Sequence, residues 1–332
     1  MYYFIVNPSS SSRKGLKIWR EAEKILKQRQ TSYKAFLLKY PGQAREIAKK
    51  LCASKKPCTV TVVGGDGTVN EFVGGLVESE ACSHITFACI PTGSGNDFAR
   101  GLHLPKDPKE AVEAILDGSH TQMLHFGKTE SSTVHAGDQD RHGFGDGNPD
   151  TQKTASFAVS SGFGYDAAAC YEADRTSLKK LLNHFHLGRL VYVISALRML
   201  IRIKPLPMDF ELCMPDGEKA KLSFEKVYFI AAMNTPYEGG GFCFCPKADP
   251  TDELLDIIIA EGLPKWKVLL ILPTALPGWH GRFRGIHLMR CTSISVRTTE
   301  DTCVHVDGEH FGFCREIRFS LHSPQIRMIT GK

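Results

Sequence analysis

Two apolar runs in the first hundred residues end in loops that few folds can accommodate. Val62-Val63 leads into Gly64-Gly65-Asp66-Gly67-Thr68-Val69-Asn70-Glu71, and Ile90 leads into Pro91-Thr92-Gly93-Ser94-Gly95-Asn96-Asp97-Phe98-Ala99. Each segment reads as a strand, then glycines, then the start of a helix. Glycine lets backbone N–H groups approach a ligand that a Cβ would hold away, and a helix N-terminus adds partial positive charge. Two such loops on successive strands make one extended phosphate cradle at the carboxyl edge of a parallel sheet, where ligands of such sheets sit.

The rest of the N-terminal third agrees. Residues 2–6, 33–38, 59–63 and 85–90 read as strands, with helical patterns near 16–26, 44–51 and 111–116 between or after them. After Asp117-Gly118 the character changes. Segments 121–128, 155–162, 207–214, 222–232, 255–260, 292–297, 302–306 and 315–320 are rich in Val, Ile, Phe and Thr and read as strands. One long helical stretch, about 166–203, interrupts them. The expected organisation is an α/β domain over 1–122, a mostly-β domain over 123–321, and a tail, 322–332, able to return to the first. The polar, Gly-rich segment 129–153 reads as a mobile loop. Its Asp138-x-Asp140 start resembles a calcium loop, but His142 stands five along and Pro149 twelve along, where a bidentate Glu belongs, which argues against calcium.

Charge narrows the ligand class. The net charge is +5, and the surplus lies in residues 1–123, which hold 17 Lys+Arg against 12 Asp+Glu. That suits an anionic small ligand and is too small to argue for nucleic acid. Eleven irregularly spaced cysteines read as reduced thiols of a cytoplasmic protein, and Cys243-x-Cys245 as core thiols for want of a second pair. No apolar run reaches the ~18–20 residues of a membrane span, and the first residues lack a signal-peptide layout. Segment 177–204 carries Lys179, Lys180, Arg189, Arg198, Arg202 and Lys204 with no acidic residue. It reads first as a helix packed on the β domain, and second as an amphipathic surface for anionic lipid.

With both glycine loops in place, the chain resembles the diacylglycerol kinase catalytic-domain family, which includes soluble bacterial lipid kinases and is related to sphingosine kinases. The resemblance extends through Asn7-Pro8, Tyr40-Pro41-Gly42-Gln43-Ala44 and Ser161-Gly162-Phe163-Gly164-Tyr165-Asp166-Ala167. It continues through Gly239-Gly240-Gly241, Pro246-Lys247-Ala248 and Leu254-Leu255-Asp256 to Val306-Asp307-Gly308-Glu309. What it implies is a phosphofructokinase-like parallel-sheet α/β domain joined to a β-sandwich, with the active site in the cleft between them. It implies ATP and Mg²⁺ as cofactors, and a lipid hydroxyl, first of all that of diacylglycerol, as acceptor at a membrane surface. Homodimers occur among such kinases.

The resemblance also assigns residues. ATP would lie over Asn7, Pro8, Ser9, Ser10 and Ser11, over Gly64, Gly65, Asp66, Gly67, Thr68, Val69 and Asn70, and over Gly93, Ser94, Gly95 and Asn96. Asp66 and Asp97 would help hold the catalytic Mg²⁺ and its waters. Asp307 or Glu309 would take the proton of the attacking hydroxyl. Asp249, Asp252 and Leu254 align with a structural Mg²⁺ site.

The chain departs from the family pattern in four places. Leu38 stands where a Thr usually meets the nucleotide, and His125 where an Asp joins the acidic network. Asp252-Glu253 replaces an Asp-Gly, and the Asn7-Pro8 loop has four serines where a Ser-Gly pair is usual. Two other readings remain: an NAD kinase, which shares Gly-Gly-Asp-Gly-Thr, and a nucleotide-binding pseudokinase that regulates a partner. A P-loop is excluded, because Gln122 stands where Gly127-Lys128-Thr129 would need its upstream glycine.

Overall fold

The computed structural model describes residues 1–79, 82–131, 152–175 and 202–330. It divides into two units. The first comprises Met1–Phe126, Pro250–Asp252 and His322–Lys332, and the second Gly127–Asp249 with Glu253–Leu321.

The first unit alternates strand and helix: β1 (Tyr2–Val6), α1 (Ser10–Gln28), β2 (Tyr33–Leu37), α2 (Gln43–Ser54), β3 (Cys58–Gly64), α3 (Asp66–Val77), β4 (Ile85–Pro91), α4 (Asp97–Gly101), α5 (Pro108–Asp117) and β5 (Thr121–Leu124). β1 to β4 pair in parallel in the order β2-β1-β3-β4. Parallel strands flanked by helices are buried on both faces, and β3 and β4 are accordingly buried at all but one position each. Phe4, Val6, Val63, Ala88 and Ile90 pack with Trp19, Ala22 and Leu26 of α1 and with Val112 and Ile115 of α5. α1 starts six residues before the apolar periodicity does, at the serine run. α5 is capped as its sequence dictates: the Asp107 carboxylate accepts the N–H groups of Lys109 and Glu110, with Pro108 at the first position.

The second unit contains β6 (Gly127–Ser131), β7 (Lys153–Phe157), β8 (Ser160–Gly164), α6 (Tyr165–Arg175), β9 (Leu206–Cys213), β10 (Lys219–Met233), β11 (Tyr237–Glu238), β12 (Phe242–Cys243), β13 (Leu255–Glu261), α7 (Lys265–Ile271), β14 (Ile286–Cys291), β15 (Ser293–Val306) and β16 (Glu309–Leu321). The run 121–128 expected as one strand is two, β5 and β6, in different sheets. Conversely, 292–297 and 302–306 are one strand, β15, irregular between Arg297 and Thr302. β10 and β15 each pair with β9 along one half and with β8 along the other. Irregularities at Phe224/Val227 and Arg297/Thr302 mark where these strands bend, the usual means of carrying a strand between layers of a sandwich. Phe157, Phe163, Phe210, Ile257, Val296 and Phe319 are among the side chains that fill the core.

A final strand, β17 (Ile326–Ile329), which the sequence reading missed, belongs to the first unit. It runs parallel to β4 and antiparallel to β5. Only the start of the long helical stretch, α6, is described; the rest, with the basic segment 177–204 up to residue 201, lies outside the described residues, as do Asp138, Asp140, His142 and Pro149. Among the described residues no helix is long and apolar enough to cross a membrane.

Candidate active site

In the first unit, the carboxyl ends of β1, β3 and β4 bring three loops together. Asn7, just past β1, donates its N–H to Val63 O at 2.9 Å, and its side-chain Nδ2 donates to Thr68 Oγ1 at 3.0 Å. Thr92, just past β4, donates its N–H to Gly64 O at 2.8 Å. The hydroxyls of Ser10 and Thr92 meet at 2.6 Å and those of Ser11 and Ser94 at 3.2 Å. The first strand's loop is therefore tied to both glycine loops.

Those two loops lie back to back. A Cβ on Gly65 would fall 2.9 Å from Gly93 Cα, and one on Gly93 would fall 2.7 Å from Gly65 Cα. Side chains cannot occupy that space, so only glycines let the two backbones pass this closely. Asn96, at φ 54°, closes the second loop: Gly93 N–H donates to its Oδ1 at 2.7 Å and its Nδ2 donates to Gly93 O at 2.9 Å. Gly67 is exposed, whereas Val69 is buried and can offer a ligand only its backbone. Pro8 and Ser9 form the turn before α1, with Ser9 N–H donating to Asn7 Oδ1.

Asp66 opens α3 and accepts the Phe98 N–H at 3.1 Å. Burial pushes its carboxyl above the usual carboxylate range, although the N–H groups of Phe98, Asp97, Asn96 and Asp66 itself pull it down. A cation beside it would remove that burial cost, so this carboxylate fits a Mg²⁺ that keeps most of its waters. Asp97 is placed differently: its carboxylate is buried and ion-paired with Arg100, whose Nη2 donates to Gly95 O at 3.1 Å. Leu38 sits at the same edge, donating its N–H to Val6 O at 2.8 Å. His125 is buried, with its backbone N–H on Pro250 O at 2.7 Å and Nε2 against Gln325 Nε2 at 2.6 Å. Two residues of the quoted motifs, given no role of their own there, hold the loop before α2 and its first turn. Gln43 Oε1 accepts the Lys39 N–H at 2.7 Å, and Glu71 Oε2 accepts the Ala44 N–H at 3.3 Å.

Asp307 and Glu309 belong to the second unit, on the turn between β15 and β16. Asp307 and Gly308 both have positive φ, 48° and 82°, the tight hairpin conformation that Asp-Gly favours. The Asp307 carboxylate accepts three backbone N–H groups: Ala158 at 2.8 Å on Oδ2, and Val159 at 2.8 Å and Ser160 at 2.9 Å on Oδ1. Its own N–H donates to Ser160 O at 2.8 Å. Three donors on its two oxygens fix its orientation. Glu309 opens β16 with its side chain exposed. Of the proposed structural metal ligands, Asp249 and Leu254 fall in the second unit and Asp252 in the first.

Behind the turn lies a buried group that the sequence reading missed. His305 Nε2 is 3.1 Å from both Asp166 Oδ2 and Glu238 Oε1, and Gly308 N–H points at His305 Nδ1 at 3.1 Å. Burial alone would lower the His305 pKa, and the Gly308 N–H on Nδ1 favours the neutral ring, but Glu238 and Asp166 outweigh burial and raise the ring to about 10. Burial likewise raises Asp166, against the hydrogen bond and charge of His305. A histidine between two valines of a strand, two residues before the acidic turn, was the signal available.

The sign of the pH effect follows. His305 titrates near 6.5 when unfolded and about 10 when folded, so its stabilisation is complete below about 6.5 and is lost as pH rises toward 10. The parent's thermal midpoint is therefore expected to fall from pH 7 to 10. A His305→Gln variant should melt lower at pH 6.5 and show a flatter profile, as read by melts across the range.

The sequence matches the family model of the diacylglycerol kinase catalytic domain over residues 1–126 and that of the YegS C-terminal NAD kinase beta sandwich-like domain over 158–318. It is 30% identical over 271 residues to a diacylglycerol kinase of Mycobacterium tuberculosis (strain H37Rv), covering 81% of this chain and 76% of that one. It is 28% identical over 318 residues to YtlR of Bacillus subtilis (strain 168), covering 94% of each. A crystal structure from Bacillus anthracis str. Sterne superimposes with a TM-score of 0.70 at 20% identity, covering 99% of this chain and 95% of that one. The chain belongs to the diacylglycerol kinase catalytic-domain family.

Proposed function

We propose that the protein is an ATP- and Mg²⁺-dependent lipid kinase that transfers the γ-phosphate of ATP to a lipid hydroxyl, with diacylglycerol as the acceptor. The observation that carries this reading is the back-to-back contact of the Gly65 and Gly93 loops at adjacent strand ends, beside Asn7, Ser10 and Ser11. Their backbone N–H groups suit a polyphosphate. The M. tuberculosis relative's name supplies the acceptor.

In this reading Asn7–Ser11, Gly64–Asn70 and Gly93–Asn96 bind and orient the nucleotide. Asp66, with Asp97 if it leaves Arg100, would hold Mg²⁺, which when bound neutralises charge on the phosphates. Asp307 or Glu309 accepts the proton of the lipid hydroxyl as that oxygen forms its bond to phosphorus. Asp249, Asp252 and Leu254 would hold a second, structural Mg²⁺. Transfer needs little more than in-line positioning and charge neutralisation, which these groups supply.

A second reading, a nucleotide-binding protein without transfer, draws on His125 at the family's Asp position and on the ion pair that engages Asp97. An acceptor panel separates the two. The protein is incubated with ATP, Mg²⁺ and mixed micelles of diacylglycerol, phosphatidylglycerol, sphingosine or ceramide, with NAD in solution, and the products are identified by mass spectrometry. Phosphatidic acid as the main product is expected. Phosphorylated NAD would overturn the lipid reading, and bound ATP with no product would favour the second one.

A further inference from the structure

The second unit concentrates apolar surface in one place. Of the eleven large apolar side chains exposed among the described residues, seven lie between 266 and 288. On α7, Trp266, Leu269 and Leu270 are 63%, 41% and 66% exposed. Their i, i+3, i+4 spacing puts them on one face, while Ile271 turns into the core and Val268 packs against it. The chain then folds back: Trp279 N–H donates to Thr274 O at 2.8 Å, which puts exposed Leu276 and Trp279 in one tight loop. The Arg282 guanidinium lies 5.9 Å from the Trp279 ring centroid, and Leu288 of the edge strand β14 lies beside Gly281.

Charge is equally one-sided here. No Asp or Glu occurs between Glu261 and Glu300, whereas Lys265, Lys267, Arg282 and Arg284 interleave with the apolar residues, and Arg290 beyond them is ion-paired with Asp256. Two of the three tryptophans are in this segment, and the third, Trp19, is buried.

We infer that the face formed by residues 265–288 docks the protein on an anionic bilayer. Tryptophan favours the boundary between headgroups and acyl chains, and Lys and Arg favour an anionic leaflet. Each Lys or Arg near such a surface strengthens binding roughly fivefold, so Lys265, Lys267, Arg282 and Arg284 add to the buried apolar area. A second copy of the chain is the poorer occupant, because a two-fold contact would set this one-signed surface against itself. The inference rests on the lipid-kinase reading, since an acceptor held in a bilayer must be reached there.

The test uses the full chain with vesicles of phosphatidylcholine, with and without phosphatidylglycerol. Two double variants run beside the parent, Trp266→Ser with Leu270→Ser and Lys265→Gln with Lys267→Gln. The parent is expected to bind the anionic vesicles with a blue shift of tryptophan emission. Each double variant should bind roughly tenfold or more weakly. Both should phosphorylate a water-soluble short-chain diacylglycerol at the parent's rate. Vesicle binding unchanged in both variants would overturn the inference, as would a parent that ignores anionic vesicles. Self-association lost in the variants while vesicle binding stays would overturn it too and assign the face to a second copy. If vesicle binding is intact in the parent and lost in the variants, but the short-chain lipid is never phosphorylated, the docking face stands and the kinase reading falls.

Discussion

Asp307→Asn is expected to lose about 10²- to 10⁴-fold in kcat and to be less stable than the parent. Both effects arise at one carboxylate. Its two oxygens accept the N–H groups of Ala158, Val159 and Ser160. An amide keeps one acceptor oxygen but points an NH₂ at a backbone N–H. That leaves a donor facing a donor, at about 1–3 kcal/mol. Glu309→Gln differs, because Glu309 is exposed at the start of β16 and its loss should leave the melting temperature nearly unchanged. The pair of variants thereby settles which carboxylate is the base. The base's replacement removes the acidic limb of the kcat/KM profile; replacement of the other lowers rate at every pH alike. Circular dichroism melts and pH–rate profiles on the three proteins read both quantities.

Gly65→Val should abolish tight nucleotide binding while sparing the β-sandwich. The new Cβ would lie 2.9 Å from Gly93 Cα, a contact between two backbones with no flexible side chain to yield. The loops must part, and the N–H groups proposed to bind a polyphosphate part with them. Losing one or two such hydrogen bonds costs about 1–3 kcal/mol each, or roughly 5- to 150-fold in affinity apiece. Gly65→Ala should show a smaller loss of the same kind. A fluorescent ATP analogue measures the affinity, and an unchanged affinity in Gly65→Val would show that the cradle lies elsewhere.

The meeting of the two glycine loops was legible in the sequence for a simple reason. It involves contiguous residues whose backbone geometry follows from glycine and from strand-to-helix turns, as at Gly64–Thr68 and Thr92–Asn96. The four parallel strands β1 to β4 were equally plain, because each is a short run rich in apolar and β-branched or aromatic residues between helical patterns. The second unit was harder to read. β15 combines apolar and polar stretches, since one half pairs with β9 and the other with β8, and its irregular middle looked like a gap. β17 was missed because four residues near the end of the chain carry little pattern, and only its pairing with β4 and β5 makes it a strand. The group of Asp166, Glu238 and His305 could not be found by spacing. It joins residues 67 to 139 positions apart, through sheet pairings that bring Gly162 beside His305. Asp97 shows the opposite limit: its type and position suit a metal, whereas its carboxylate in this structure is paired with Arg100.

The most direct measurement is transfer of label from γ-labelled ATP to diacylglycerol in mixed micelles with Mg²⁺, by the parent and by Asp66→Asn and Asp307→Asn in parallel. Label in phosphatidic acid from the parent, falling at least a hundredfold in each variant, is the predicted result. Equal labelling by parent and variants, or label appearing only in soluble acceptors, would contradict the account.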